Sequence, residues 1–296
     1  VTHCLLGYNL LGVDRKQPTI EAGLGLYASS NNTITDCIIH DQWGPSIGIE
    51  LSSCNSIFNC RLYNGSEGIF LFCSSSGNWI INDTIYNNSN GISFDHDLNN
   101  TIANCLIYNN TKGIYFHHSL NNTITSCIIY NNSDGIHLGG PPTNCKITNC
   151  DIVTNSGCGI CIHYCNSTRS ELSDNFIYHS NFINNTVQSY DECTNFWDNG
   201  YPSGGNYWSD FDEPSEGAYD NNTDGIVDTP YAISGGSNYD YYPFMEPSGW
   251  EKGGLASHAP IYIDGNSDFT DGDDDGVSNP GAPGTAADPY IIENWD

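Results

Sequence analysis

The chain has 296 residues, 35 of them acidic and 7 basic, and a formal net charge of −28. A chain of this length can bury a substantial core. Its charge would repel a phosphate backbone, which excludes a nucleic-acid partner, and the same charge attracts cations.

No apolar run is long enough to span a membrane, and no signal peptide is visible. A start at Val1 instead of a methionine points to a processed product or a piece of a longer precursor. Residues 1–29 read as an irregular first coil, because Gly25-Leu26 already stands 23 residues before Gly48-Ile49. From Ser30 to Ile162 the chain repeats every 22 to 24 residues. An apolar marker recurs at Ile34, Ile57, Ile80, Ile102, Ile124, Ile147 and Leu172. Three residues after each comes Cys37, Cys60, Asp83, Cys105, Cys127, Cys150 and Asn175, and two further on Ile39, Leu62, Ile85, Ile107, Ile129, Ile152 and Ile177. A glycine column follows at Gly48, Gly68, Gly91, Gly113, Gly135 and Gly159, each succeeded by alternating apolar residues such as Ile92–Phe94.

Two-residue alternation marks strands, and the longer period means that whole units stack. No unit contains the helical pattern of a βαβ crossover, and Asn, Asp, Ser and Gly separate two or three short strands in each. The fold class is therefore all-β, a parallel β-helix whose equivalent residues lie about 4.8 Å apart on neighbouring coils. Residues 1–180 are assigned to coils. Tyr63-Asn64, Tyr86-Asn87, Tyr108-Asn109 and Tyr130-Asn131 follow the second apolar column, so the tyrosines stack along a surface and the asparagines form turns or side-chain ladders.

The 13 cysteines leave three readings open: inert stacked thiols, disulfides between adjacent coils, or metal ligation. Cys158-Gly159-Ile160-Cys161 followed by Cys165 suggests a zinc or redox motif, although the repeat glycine falls inside it, which places the first two cysteines on different faces. Eleven Asn-x-Ser/Thr sequons begin at Asn31, Asn64, Asn82, Asn87, Asn99, Asn109, Asn121, Asn131, Asn166, Asn184 and Asn221, permitting glycosylation. Most arise because the repeat itself places Asn-Asn-Thr at a turn.

Residues 181–250 leave the period and carry many aromatics, including Trp197 and Trp208, between Gly and Asp. They read as a cap on the last coil, or as a carbohydrate-stacking surface if the tryptophans are exposed. A linker at 251–260 leads to an acidic tail with two strand patterns, Pro260–Ile263 and Pro289–Trp295.

Three constellations carry candidate chemistry. Asp220, Asn222, Asp224 and Asp228 offer oxygens at positions 1, 3, 5 and 9 of a loop, with Gly225 at 6 and the Ile226 carbonyl at 7. Asp271, Asp273, Asp275, Val277 and Asn279 repeat that arrangement. Neither loop has the glutamate of a full EF-hand. Both resemble the calcium loops of dockerins and thrombospondin type-3 repeats, and structural Ca²⁺ is expected at each.

A histidine patch is the second. Asp95, His117 and His163 share one offset from the glycine column, with Gly139 between them, and His96 and His118 share the next. Imidazoles one coil apart can hold copper or zinc. Third, Asp95 and Asp97, with Asp134 and Asp151 beyond, are the carboxylates available for hydrolysis or elimination. The coils carry only Arg61, Lys112, Lys146 and Arg169 as basic residues, so an enzyme is not the favoured reading.

The repeated Asn-Asn-Thr-Ile-x-x-Cys-x-Ile-Tyr-Asn-Asn-x-x-Gly-Ile resembles the NosD-like, or CASH-type, right-handed β-helix proteins common on the surfaces of methanogens and other archaea. The run from Gly205 through Asp224–Tyr231 to Tyr241-Tyr242-Pro243 is similar to the ending of such helices. That family spans a periplasmic copper-site assembly factor, carbohydrate-active enzymes and envelope proteins, so the resemblance implies a right-handed coil and no particular catalytic residue. In relatives a segment like 260–266 followed by 288–295 opens the helix, whereas here it comes last. Head-to-tail assembly through Ile261, Ile263, Tyr290, Ile291 and Ile292 is the corresponding expectation. The resulting picture is a calcium-stiffened, non-enzymatic homopolymer at the cell surface or outside the cell, with surface glycans as further partners. The alternative is a carbohydrate-binding or carbohydrate-active secreted β-helix.

Overall fold

A computed structural model of the chain describes residues 1–2, 4–6, 22–140, 144–163, 174–252, 277–278 and 291–292. Among these, three parallel sheets of nine, eight and seven strands run along the molecule, each strand bonded to its counterpart one coil away. Registers join like positions: Ile57 to Ile80, Ile85 to Ile107, Ile92 to Ile114 and Phe94 to Phe116. The chain is an all-β parallel β-helix, as its periodicity predicts.

The columns explain the core. Short strands of three residues, such as Thr101–Ala103 and Leu106–Tyr108, send their central isoleucine inward. The third strand of each coil is longer, as in Lys112–His117, and sends two apolar residues inward. Cys37, Cys60, Cys105, Cys127 and Cys150 are buried thiols stacked at one corner. Burial pushes the Cys60 thiol up to about 12, which keeps it protonated and unreactive.

Outside, His40 and the four tyrosines stack with ring centroids 4.8 to 4.9 Å apart, which is the rise of the coil. The asparagine directly after each tyrosine is not the ladder residue. Asn64, Asn87, Asn109 and Asn131 are exposed at positive φ, where Asn is tolerated better than most residues. Their successors Asn88, Asn110 and Asn132 are buried and build the ladder. Each side-chain carbonyl accepts the backbone N–H of the coil before it, at 2.9 Å for Asn88 to Asn110 and for Asn110 to Asn132. All the described sequon asparagines are exposed, and Asn166 lies outside the described residues.

Two stretches depart from the expected register. Gly48 lies opposite Phe70, two residues out of the glycine column. Further along, Ile147 pairs with Ile177 and Ile152 with Phe182, so Ile177 belongs to the marker column and Asn175 to an asparagine ladder, where it accepts the Cys145 N–H. This coil is longer, with a separation of 30 residues between paired positions, and a pattern matched at shorter spacing slides along it. Leu172 lies outside the described residues.

The parallel ladders continue past residue 180 through Asn181–Ile183 and Val187–Asp191 to Tyr207–Trp208. Trp197 and Trp208 are buried at the end of the core, not displayed as a stacking surface. Their indole N–H groups donate to Asp191 and Asp240, each at 2.9 Å, so two buried carboxylates tie the closing segment to the last coil. In the tail, Ile291–Ile292 pair antiparallel with Val277–Ser278.

Asp83 occupies a thiol position. One of its oxygens accepts the Cys60 N–H at 2.6 Å, while Oδ2 is buried without a partner. Burial raises it to about 7, as it does Asp97 and Asp240. Unfolded, an aspartate ionises from about pH 4. The stability that Asp83 contributes is therefore fully present below that pH and lost as pH rises through 7. Urea unfolding should show stability falling between pH 4 and 7, with a share on the order of 4 kcal/mol belonging to Asp83. Asp83→Asn should flatten that share; an unchanged slope would mean that Asp83 ionises freely in the fold.

The glycine column marks where coils touch. A Cβ on Gly113 would lie 2.4 Å from the Gly135 carbonyl oxygen and 2.9 Å from Ile129 Cγ2. Gly113→Ala should lower the free energy of unfolding by about 1–3 kcal/mol in denaturant titration, and a neutral result would show that the coils can separate locally.

Candidate functional site

The outer face of the eight-stranded sheet gathers the chemically active side chains. Here the glycine at the strand start lets residues three apart share one face. Lys112 Nζ lies 4.0 Å from the Tyr115 ring centroid, His137 Nδ1 lies 3.0 Å from Asp134 Oδ2, and Cys158 is joined to Cys161 by a disulfide. These three pairs occupy the same offset on consecutive coils. Cys158 and Cys161 therefore lie on one face, contrary to the placement expected from alternation, because the pinch at the glycine breaks strict alternation. Cys165 lies outside the described residues.

The next column outward runs Asp95, His117, Gly139, His163 in register, as its offset predicts. Asp95 Oδ1 is 2.7 Å from Nδ1 of His117 and 2.7 Å from Nδ1 of His96. Partial burial works against the Asp95 charge, but the hydrogen bonds from His117 and His96 outweigh it and hold the carboxyl below its usual range. An ionised carboxylate only accepts, so His117 carries its hydrogen on Nδ1 and, when neutral, presents Nε2 as a lone pair.

His118 follows at positive φ beside His117, with ring centroids 4.3 Å apart. Its burial and the neighbouring His117 and His96 disfavour the protonated form. His163 stands apart from this group, 3.8 Å from Glu192 and with its ring 5.4 Å from that of His137.

Gly139 leaves a gap in the column, and Tyr115 fills it. A Cβ on Gly139 would lie 3.0 Å from Tyr115 Cε2 and 3.2 Å from its hydroxyl. The phenol thus rests between the coil of His117 and that of His163. A base with its orienting carboxylate, a phenol and an ammonium group stand together on one face. Sequence reasoning missed Lys112, Tyr115 and His137 as a group, and the signal that finds them is the three-residue spacing across each column glycine.

Asp97 does not complete a carboxylate pair with Asp95. It is buried in the turn after the strand and accepts the backbone N–H of Ser75 at 2.7 Å and of Asp95 at 3.1 Å.

A second feature lies in the closing segment, where a cavity of about 930 Å³ is lined by Tyr201, Tyr219, Phe244, Trp250, Asp220, Asn221 and Thr223 to Ile226. Asp220 accepts the Gly225 N–H at 2.9 Å, Asp224 that of Ile226 at 2.9 Å, and Asp228 that of Asn221 at 2.8 Å. Gly225 supplies the positive φ of the turn. Asn222 reaches Asp224 at 3.0 Å. Among the described residues, the groups of three or more His, Cys, Asp and Glu whose ligand atoms all come within 4.8 Å of one another are Asp95-His96-His117 and Asp134-Cys158-Cys161. Asp271, Asp273, Asp275 and Asn279 lie outside the described residues, as do Ile261, Ile263 and Tyr290. Val277 is placed in the short tail strand.

Stacked parallel coils with an outward polar face define a β-solenoid, and known proteins share that architecture. The family described as "Right handed beta helix region" matches residues 22–187, and the chain belongs to it. Among solved structures, the periplasmic alginate epimerase AlgG is similar at 18% identity and a TM-score of 0.54, over 59% of this chain and 46% of that one. The Azotobacter vinelandii mannuronan C-5 epimerase AlgE4 A-module is 18% identical with a TM-score of 0.37, over 56% of this chain and 58% of that one. An alginate lyase from Paenibacillus sp. is 14% identical with a TM-score of 0.35, over 58% and 78%. At these identities the likeness is one of fold, and the chain spans about half the length of AlgG. No curated protein matches the chain. Among the described residues no helix is long and apolar enough to cross a membrane.

Proposed function

We propose that the chain is a carbohydrate-active β-helix of the envelope or extracellular space that abstracts a proton from a uronate residue of a polysaccharide. The observation that carries this reading is the Asp95–His117 pair beside Tyr115, whose ring fills the gap at Gly139. The hydrogen alpha to a uronate carboxyl is acidic enough for a histidine base only if the developing enolate is stabilised. His117 Nε2 takes that proton, and the imidazolium formed is stabilised by Asp95. Lys112 is the nearby cation for the uronate carboxylate. The Tyr115 hydroxyl returns a proton to the carbon from the other side, giving epimerisation, or to the departing glycosidic oxygen, giving elimination.

A net charge of −28 opposes an anionic polymer, and on this face the acidic groups have basic partners. Asp95, Asp134 and Glu192 are each within reach of a histidine. The periplasmic alginate epimerase AlgG, which shares the fold, supports the substrate class.

Incubation with polymannuronate and polygalacturonate, followed by proton NMR for inverted residues and ultraviolet absorbance for unsaturated ends, tests the reading. His117→Ala and Tyr115→Phe should each reduce the rate by about 10²–10⁴-fold. A wild-type chain without turnover on any polyuronate, or a His117→Ala variant at full rate, would remove it.

Calcium at Asp220, Asn222, Asp224, the Ile226 carbonyl and Asp228 belongs to the same proposal as a structural ion walling the cavity. Ca²⁺ should raise the melting temperature of the wild type and leave that of Asp224→Ala unmoved. Equal shifts in both would place the ion elsewhere.

A further inference from the structure

We infer that Asp95, His96 and His117 form a binding site for one divalent transition metal of the imidazole-preferring class, such as Zn²⁺, Ni²⁺ or Cu²⁺. Two imidazole nitrogens and a carboxylate oxygen already converge, each nitrogen 2.7 Å from the same oxygen. They come from two coils. Asp95 ends one strand, and His96 follows it at φ 60°, a left-handed turn that swings its ring back toward its neighbour. His117 arrives from the next coil in equal register with Asp95. Stacking fixes the distance between the coils, so the three groups are held together before any ion arrives.

Two histidines and one carboxylate on a single side leave further positions to water, which suits ions of the imidazole-preferring class. The side chains of His96, Asp95 and His117 are 61%, 39% and 38% exposed, so an ion can enter from solvent. Coordination replaces the two Nδ1 hydrogens, and each imidazole stays neutral by carrying its hydrogen on Nε2. The overall negative charge concentrates cations near this face. His163, three coils from Asp95 and turned toward Glu192, is not a ligand.

The site does not rest on the proposed uronate reaction, but it competes with it. A metal on His117 Nδ1 displaces the Asp95 contact and moves hydrogen onto Nε2, which removes the base. His96 takes no part in the proton transfer and reaches that reaction only through its bond to Asp95.

Zn²⁺ titration calorimetry on the full chain tests the site. The exposed Cys54 and Cys73 should be changed to Ser, and excess Ca²⁺ should be present to occupy oxygen-only sites. One saturable event is expected, weakened about tenfold or more by His96→Asn and by His117→Ala, and unchanged by His163→Ala. Asparagine suits the left-handed backbone at position 96, so a loss in His96→Asn reports the missing ligand and not a misfolded turn. Absence of a saturable event, or an identical titration for His96→Asn, would overturn the assignment. Uronate turnover by metal-free His96→Asn separates the two claims, because it should persist where Zn²⁺ binding is lost.

Discussion

Equal-register stacking of parallel coils is the constraint on which the rest of the molecule depends. Once each strand pairs with its counterpart at a rise of about 4.8 Å, every position becomes a column, and every column must tolerate its own repetition. Isoleucine does so by packing, tyrosine by ring stacking, asparagine by passing a hydrogen bond to the next coil, and cysteine by being small and apolar. Glycine is needed where the coils approach too closely for a Cβ. A carboxylate fits a buried column poorly, and Asp83 accordingly sits in the thiol column with one oxygen unpartnered.

The same constraint governs what was legible in the sequence. Periodic columns such as Ile57–Ile80 and Phe94–Phe116 were readable because stacking makes fold and spacing the same information. Reading failed where spacing changed. The lengthened coil before Ile177 moved that residue into another column, and Gly48 was grouped with glycines two positions away. The shared offset of Asp95 and His117 brought those two together correctly, whereas the contact of Lys112 with Tyr115 depends on a local break in alternation that the two-residue pattern hides. Asp97 shows the opposite failure: strand alternation would keep it outside with Asp95, but the strand ends at Asp95 and the turn carries Asp97 inward.

Columns also set how chemistry can be built on this fold. A solenoid has no central cleft, so a site must be assembled from side chains on successive coils, and the register delivers them as neighbours without loops to position them. The cost is that like residues tend to fall beside like. The face of the eight-stranded sheet breaks that tendency. Along one offset the pairs change from Lys112-Tyr115 to Asp134-His137 to Cys158-Cys161, and along the next from Asp95 to His117 to Gly139. Conservative stacking would have left a uniform ladder here, as the tyrosines do on the nine-stranded sheet.

That difference between faces sets the eight-stranded sheet apart from the uniform ladders elsewhere on the solenoid. The tyrosine ladder and the asparagine ladders repeat because repetition satisfies them. The Asp95–His117 face changes on every coil, and its histidines stand against carboxylate partners. A net charge of −28 describes the molecule as a whole, but what a ligand meets at this face is set by these paired groups. His117 is the residue on which both proposed uses converge, since its Nδ1 contact with Asp95 would leave Nε2 as a base, whereas a metal at Nδ1 would put the hydrogen on Nε2. The choice between them depends on whether His96 finds a metal ion to share with Asp95 or only a hydrogen bond.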